Sequence, residues 1–143
     1  MWRRGRFGRI VIVVDASVLV AALAGDNADG DSARARLAGD SLAAPELIDV
    51  EVVSVLRRLF LAGNLDARRA DLALVDLIEL PLQRVPHRPL LARCWELRDN
   101  VTPYDATYIA LAEILDAVLV TADARMSKAP GTRCRFDVVR STN

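Results

Sequence analysis

Two runs of the chain constrain its fold more than any other feature. Ile10-Val-Ile-Val-Val14 and Val118-Leu-Val-Thr121 are short, uninterrupted and rich in β-branched residues, and each is followed within two residues by an aspartate. Runs without polar alternation read as strands buried on both faces, as in a parallel sheet covered by helices. Helical patterns fill the space between them. They cover about Ala16 to Ala24, about Asp31 to Leu37 after a loop from Gly25 to Gly30, a stretch opened by Pro45 and running to about Ala62, and about Ala67 to Leu80. Leu82 to Val85 reads as a short strand, followed by a helix from about Leu90 to Arg98. Thr102-Pro-Tyr-Asp105 supplies an N-cap, a proline at the first helical position and an acid three residues after the cap, starting a helix that continues to about Leu115. Phe136 to Val139 reads as an edge strand. Strands alternating with helices predict an α/β layer fold with a mainly parallel central sheet flanked by helices.

Composition sets limits on function. With 143 residues, 52% of them hydrophobic and 27% charged, the chain is expected to build one core and falls outside the disordered and collagen-like classes. Nineteen basic residues balance nineteen acidic ones, which removes the blanket positive field of many nucleic-acid binders, so any anion site must be built locally. Lys128 is the only lysine, and the remaining basic residues are arginines, a bias that fits either genome composition or bidentate phosphate contacts. Arg3, Arg4, Arg6 and Arg9 precede the apolar run at Ile10 and imitate a secretory signal, but Asp15 interrupts that run, and no uninterrupted apolar span is long enough to cross a membrane. The reading is a basic arm over residues 1–9, a single domain over 10–143, and no membrane association. Cys94 and Cys134 lack metal-ligand spacing and the density of a disulfide scaffold, which points to ordinary thiols in a reducing cytoplasm.

In a parallel α/β sheet, ligands bind beyond the carboxyl ends of the strands near a switch in strand order. Asp15 and Asp123 both fall there, and they can converge if their strands are neighbours about 4.8 Å apart. The alternative is that each caps a following helix, a role compatible with a site because a cap needs one oxygen. Glu51 shares its helical face with Leu47, Ile48, Ser54 and Val55, so its carboxylate points inward and must meet an arginine, take a proton or bind a metal; the alternative is a salt bridge or a place at the edge of the apolar stripe. Glu46 and Asp49 point elsewhere and read as solvated. Asp105 shares a face with Tyr108, Ile109 and Ala112, although completing a capping box explains it as well. Asp116 precedes the strand that Asp123 follows, roughly 20 Å away at the opposite edge of the sheet.

Convergence of Asp15, Glu51, Asp105 and Asp123 at about 6 Å would set each pair repelling by roughly 3 kcal/mol at an effective dielectric of about 20, together rivalling a domain's stability. A divalent cation resolves that repulsion. All-oxygen ligation selects Mg²⁺ or Mn²⁺ over zinc, and such an ion activates water for attack on a phosphate without a histidine base. His87, the only histidine, lies between Pro86 and Arg88 in a surface loop, so a two-histidine ribonuclease mechanism is excluded. Ser17 and Thr121 can orient a carboxylate or a bound water, with capping and strand packing as their simpler roles; Arg57, Arg58 and Arg125 can contact RNA phosphates, with a surface or ion-pairing role the simpler one for each. Other motifs fail on spacing. Asp26-Asn-Ala-Asp-Gly-Asp31 places Arg36 where a calcium loop needs Glu and reads as a solvated turn. An Asp-x-Asp phosphatase would need an acid at Ser17, and no phosphate-binding Gly-x-x-x-x-Gly-Lys loop exists.

Four segments together resemble a known family. Ile12-Val-Val-Asp-Ala-Ser-Val-Leu19, Pro45-Glu-Leu-Ile-Asp-Val-Glu-Val-Val-Ser-Val-Leu56, Thr102-Pro-Tyr-Asp-Ala-Thr-Tyr-Ile-Ala-Leu-Ala112 and Leu119-Val-Thr-Ala-Asp-Ala-Arg-Met126 resemble the PIN-domain ribonucleases, and more narrowly the VapC-type toxins of toxin–antitoxin pairs. The resemblance implies a PIN-like three-layer fold and metal-dependent endonucleolytic cleavage of RNA. It implies that Asp15, Glu51, Asp105 and Asp123 form the acidic site, with Asp15 and Asp105 the firmest metal ligands and the other two acting directly or through water. It also implies a cognate antitoxin that blocks the site with a basic side chain, a homodimer and a toxin–antitoxin hetero-oligomer. Two departures stand out: Ser54 replaces a frequent Asn, and the arm before Ile10 is longer than the family pattern requires. That arm is read as an RNA or partner contact, as a disordered tail, or as the product of an upstream start codon. The competing readings are a noncatalytic PIN-like binding or scaffold protein, whose acids serve as caps and a docking site, and a phosphatase or DNA-directed nuclease using the same acids.

Overall fold

A computed structural model describes residues 10–139; the basic arm over residues 1–9 lies outside the described residues. In chain order the elements are β1 (Val11–Val14), α1 (Ala16–Ala24), α2 (Ala28–Leu37), β2 (Ser41–Pro45), α3 (Ile48–Leu61), α4 (Ala67–Glu79), β3 (Leu82–Val85), α5 (Leu91–Glu96), α6 (Pro103–Leu115), β4 (Val118–Thr121) and β5 (Phe136–Val138). The strands form one parallel sheet in the order β3-β2-β1-β4-β5. In register, Val13 lies opposite Ala43 on one side and Leu119 on the other. The chain builds outward from β1 through β2 to β3, then returns to lay β4 against the other side of β1. The switch point therefore lies between the carboxyl ends of β1 and β4.

Ile12, Val13 and Val14 of β1 and Leu119, Val120 and Thr121 of β4 are all buried, which requires helices on both faces. α6 packs on β1, β2 and β4 with α5 beside it, and α1 packs with α2, α3 and α4. Among the described residues no helix is long and apolar enough to cross a membrane.

Five expectations about local structure are corrected. Ser41–Pro45 is an interior strand, and Pro45 ends it rather than opening α3, which starts at Ile48. A Ser-Leu-Ala-Ala-Pro stretch has weak β preference and a proline that argues against an inner strand; pairing on both sides overrides both. α2 begins at Ala28 instead of about Asp31, because the Asn27 side chain accepts from the amides of Asp29 and Gly30. The Asp26–Asp31 stretch is thus a helix start rather than a solvated turn, with Asp26 ion-paired to Arg69. Gly25 and Gly30 meet so closely that a Cβ on Gly30 would sit 2.4 Å from the Gly25 carbonyl oxygen, which explains glycine at both positions. The expected helix over Leu90–Arg98 is a 3₁₀ turn at Arg88–Leu90 followed by the shorter α5. Asp49 is not a solvated acid either: Arg84 binds it with two hydrogen bonds, Nε to Oδ2 at 2.8 Å and Nη2 to Oδ1 at 3.1 Å.

Candidate active site

Asp15 leaves the end of β1 at the switch point, its backbone amide donating to the Val120 carbonyl of β4 at 3.2 Å. Its carboxylate is buried, and both oxygens accept hydrogen bonds. Oδ1 accepts from Ser17 Oγ at 2.6 Å and from the Val18 amide at 3.2 Å, which caps α1, while Oδ2 accepts from the Thr121 hydroxyl. Burial pushes its pKa above the usual 3.8, and these donors pull it partly back. The cap uses one oxygen only.

Thr121 and Ser17 connect Asp15 to the loop after β4. Thr121 Oγ1 accepts from the Asp123 amide at 3.0 Å, and Ser17 Oγ accepts from the Ala122 amide at 3.2 Å. Asp123 does not cap a helix; Oδ1 accepts from the Arg125 amide at 2.9 Å, closing a side-chain turn, with the Arg125 guanidinium 3.7 Å away. The carboxyl ends of the two strands are thereby joined by one network of side-chain and backbone groups.

Asp105 stands in the first turn of α6, its amide capped by Thr102 Oγ1 at 3.2 Å. Burial raises its pKa, and the negative charges of Asp123, Asp15 and Glu51 raise it further, with Arg125 acting in the other direction. Glu51, half-buried on α3, accepts from the Tyr108 hydroxyl at 2.5 Å. The inward carboxylate therefore meets a phenol rather than an arginine. Tyr108 is buried one turn after Asp105, so α6 presents both residues on one face. Burial and then the Glu51 hydrogen bond push the Tyr108 pKa well up, keeping it a donor.

Asp105 thus feels the charges of the other three predicted acids, although among the described residues no three of them stand close enough together, as the side chains lie, to hold a metal ion. Their chemistry fits a hard divalent cation: donors are oxygen only, the charges repel, and Cys94 and Cys134 are free thiols elsewhere in the fold. A groove of about 740 Å³ opens beside Asp105 and Asp123, with Arg125 on its wall. A larger cavity of about 840 Å³ lies against Val11, Ser41 and Leu82, at the opposite end of the sheet from these acids.

The remaining candidates divide. Arg58 lines a groove with Ser17, whereas Arg57 faces a separate groove between α3 and α4; both are exposed. Ser54 is exposed on α3. Sequence reasoning missed two supporting residues. Tyr108 was visible only as a face-mate of Asp105, and the reach of its hydroxyl to Glu51 depends on how α3 meets α6. His87 is structural, its Nε2 accepting from the Leu47 amide at 2.9 Å just before α3, a contact across 40 positions that no local pattern encodes.

A model of the PIN domain family matches residues 12–131. The chain is 44% identical over 129 residues to ribonuclease VapC1 of Mycobacterium tuberculosis, covering 90% of this chain and 97% of that relative. Among solved structures, PAE2754 of Pyrobaculum aerophilum is similar with a TM-score of 0.64 and 26% identity, covering 89% of this chain and 83% of the other. The Rickettsia felis VapBC2 assembly bound to a DNA fragment from its promoter has the same fold, with a TM-score of 0.63 at 14% identity, covering 90% and 98%.

Proposed function

The chain belongs to the PIN domain family, and from that premise we propose that it is an RNA-cleaving hydrolase, a VapC-type endoribonuclease toxin held in check by a cognate antitoxin. The observation that supports the reading is the Asp105 carboxylate near the β1–β4 switch point, which feels the charges of Asp15, Glu51 and Asp123 from other parts of the chain. PIN-domain ribonucleases are generally divalent-metal enzymes; Mg²⁺, with Mn²⁺ as a substitute, is the ion proposed for this all-oxygen donor set. Asp15 and Asp105 are the firmest ligands, with Glu51 and Asp123 acting directly or through water. When bound, the ion supplies Lewis acidity toward the phosphate and a deprotonated water as nucleophile.

The chain's own residues prepare that chemistry. Ser17, Val18 and Thr121 hold the Asp15 carboxylate in one orientation. Tyr108 fixes one oxygen of Glu51 and leaves the other free to act. Thr121 also ties the Asp123 backbone, so one hydroxyl positions two acids. Arg125, with its side chain 95% exposed, is placed to take a substrate phosphate beside Asp123. His87 takes no part, because its ring is committed to the start of α3.

RNA as substrate, the antitoxin and a cytoplasmic location follow from the family premise, supported by relatives that are ribonucleases and by the likeness to a VapBC assembly. A homodimer is proposed on the exposed apolar face of α3 and α4, where Val50, Leu72, Val75 and Ile78 meet solvent. The noncatalytic binding reading is not favoured by these relatives. The test is cleavage of structured and unstructured RNA by the partner-free protein with Mg²⁺, Mn²⁺ or chelator, with DNA and a phosphomonoester as controls. Chelator-sensitive RNA cutting is expected, abolished in Asp105→Asn while the thermal midpoint stays near wild type. A folded Asp105→Asn protein that cuts RNA at the normal rate would refute the assignment.

A further inference from the structure

The segment 122–135 joins β4 to β5 with no regular structure beyond one 3₁₀ turn at Met126–Lys128. Connections of this length without elements of their own are commonly functional. Asp123 stands near its start. Arg125, Lys128 and Pro130 line the groove beside Asp105, as does the stretch from Arg98 to Thr102 between α5 and α6. Met126 is buried, and the Arg135 carbonyl accepts from the Leu119 amide at 2.9 Å as β5 begins. Between these anchors, residues 130–134 make no backbone-to-backbone hydrogen bond among the described residues. Side chains take over that task.

Arg93 of α5 binds Glu113 of α6 with two hydrogen bonds, Nε to Oε1 at 2.7 Å and Nη2 to Oε2 at 3.2 Å, and both groups then reach the segment. Arg93 Nη2 donates to the Gly131 carbonyl at 2.7 Å, and Glu113 Oε2 accepts from the Arg133 amide at 2.7 Å. Asn100 Nδ2 adds a bond to the Pro130 carbonyl at 3.0 Å, so the two stretches that line the groove are tied directly. Gly131 has a φ of 83°, and a Cβ there would stand 3.3 Å from Asn100 Nδ2. The Arg93 and Glu113 side chains are 16% and 13% exposed, more buried than any other ion pair between described residues. Such a pair adds little stability over apolar side chains of similar volume. What it supplies is direction, since a planar guanidinium and a carboxylate can aim several hydrogen bonds at one stretch of backbone. The network around the acids is separate: Thr121 holds the Asp123 amide and Ser17 the Ala122 amide.

We propose that Arg93, Glu113 and Asn100 are positioning residues for RNA cleavage, a clasp that draws residues 130–133 against α5 and α6 and fixes the width of the groove. The inference rests on the ribonuclease reading and adds residues that act on substrate affinity through the groove wall, apart from the acids. With the clasp opened, binding must order the segment as well as seat the substrate, which weakens affinity. Asp123 keeps its own anchors, so the chemical step is spared.

The experiment measures kcat and KM for cleavage of a labelled RNA of about ten nucleotides by the full chain, with Mg²⁺ or Mn²⁺ added. Removing one partner of a buried pair threatens the fold, whereas replacing both with apolar groups is close to neutral, so the main variant is Arg93→Met combined with Glu113→Leu. It should raise KM about 5- to 100-fold, the equivalent of two lost hydrogen bonds, with kcat changed little. Arg93→Lys, which keeps the charge and a donor, should retain most of the wild-type affinity. Asn100→Ala alters an exposed residue and folds in any case; it should raise KM about 2- to 10-fold. Hydrogen exchange reads the clasp itself: the Arg133 amide should lose protection in the double variant, while the Asp123 amide keeps its wild-type rate. A freed Arg133 amide with unchanged KM in both the double variant and Asn100→Ala overturns the inference and leaves the ribonuclease reading intact. A fall in kcat that tracks the thermal midpoint at constant KM overturns it equally, because the pair then serves stability alone. A wild-type chain that cuts no RNA with either metal brings down the ribonuclease reading, and this inference with it.

Discussion

Both oxygens of Asp15 accept hydrogen bonds from the protein's own groups, so its orientation is set before any ligand arrives. Thr121 is the residue that makes this costly to disturb, because it is fully buried and bonds both the Asp15 carboxylate and the Asp123 amide. Thr121→Val preserves shape and removes both contacts. It should destabilise the fold by about 1–3 kcal/mol in urea unfolding, the cost of leaving buried polar groups unsatisfied, and weaken divalent-metal affinity. Wild-type stability in that variant would deny Thr121 its organising role. The four acids themselves were legible in the sequence because each sits at a pattern boundary: two after apolar runs, one on an apolar stripe, one at a helix start. The Tyr108 hydroxyl on Glu51 was not, since it joins residues 57 positions apart.

At the scale of elements, the start of α3 shows how a local rule is replaced by a distant contact. Leu47 offers no side-chain cap, and His87 Nε2, from the segment after β3, accepts its amide instead. His87→Ala should lower stability by about 1 kcal/mol, the usual value of a lost cap. It should also slow RNA cleavage by loosening the turn that carries Glu51. Chemical denaturation together with initial cleavage rates checks both, and an unchanged midpoint would contradict the structural role. β2 was illegible for a related reason: Ser41–Pro45 becomes a strand only because β1 and β3 hydrogen-bond it from either side. α1, α4, α6, β3 and β4 were placed closely because their caps and periodicities are local.

For the molecule as a whole, charge and exposed surface carry the predictions. Burial raises the pKa of both Asp15 and Asp105, aided at Asp105 by its acidic neighbours, so the folded chain binds protons that the unfolded chain has already released. Stability of the metal-free protein should therefore fall as pH rises from the ordinary value of 3.8 through the folded pKa values, and remain reduced at neutral pH. Glu113 acts oppositely. Burial pushes its pKa up, but the Arg93 guanidinium and the Arg133 amide outweigh this and hold it below 4.5, so its contribution is present above that value and lost as pH falls through the folded pKa. The metal-free protein should accordingly be most stable in mild acid, and saturating Mg²⁺ or Mn²⁺ at neutral pH should restore about 2.7 kcal/mol at a hundredfold excess over Kd. Calorimetry across pH, with and without metal, tests this, and Asp105→Asn should show a shallower pH slope and a smaller metal shift.

The second whole-molecule prediction concerns the apolar face of α3 and α4. Ile78, 69% exposed, should lie within the proposed dimer. Ile78→Glu should shift sedimentation from dimer to monomer without unfolding the chain, and a wild type that is monomeric at high concentration would reject the proposal. By itself, the sequence determined the layer architecture, the positions of the four acids and the oxygen-only chemistry they support, because these are written in local periodicity, caps and residue type. Only the tertiary structure decided that β2 is a strand, that Tyr108 and His87 serve residues 57 and 40 positions away, and that Arg98, Arg125 and Lys128 share one groove with the acids. Those facts depend on which distant surfaces meet when the sheet closes around β1, and no window along the chain contains that information.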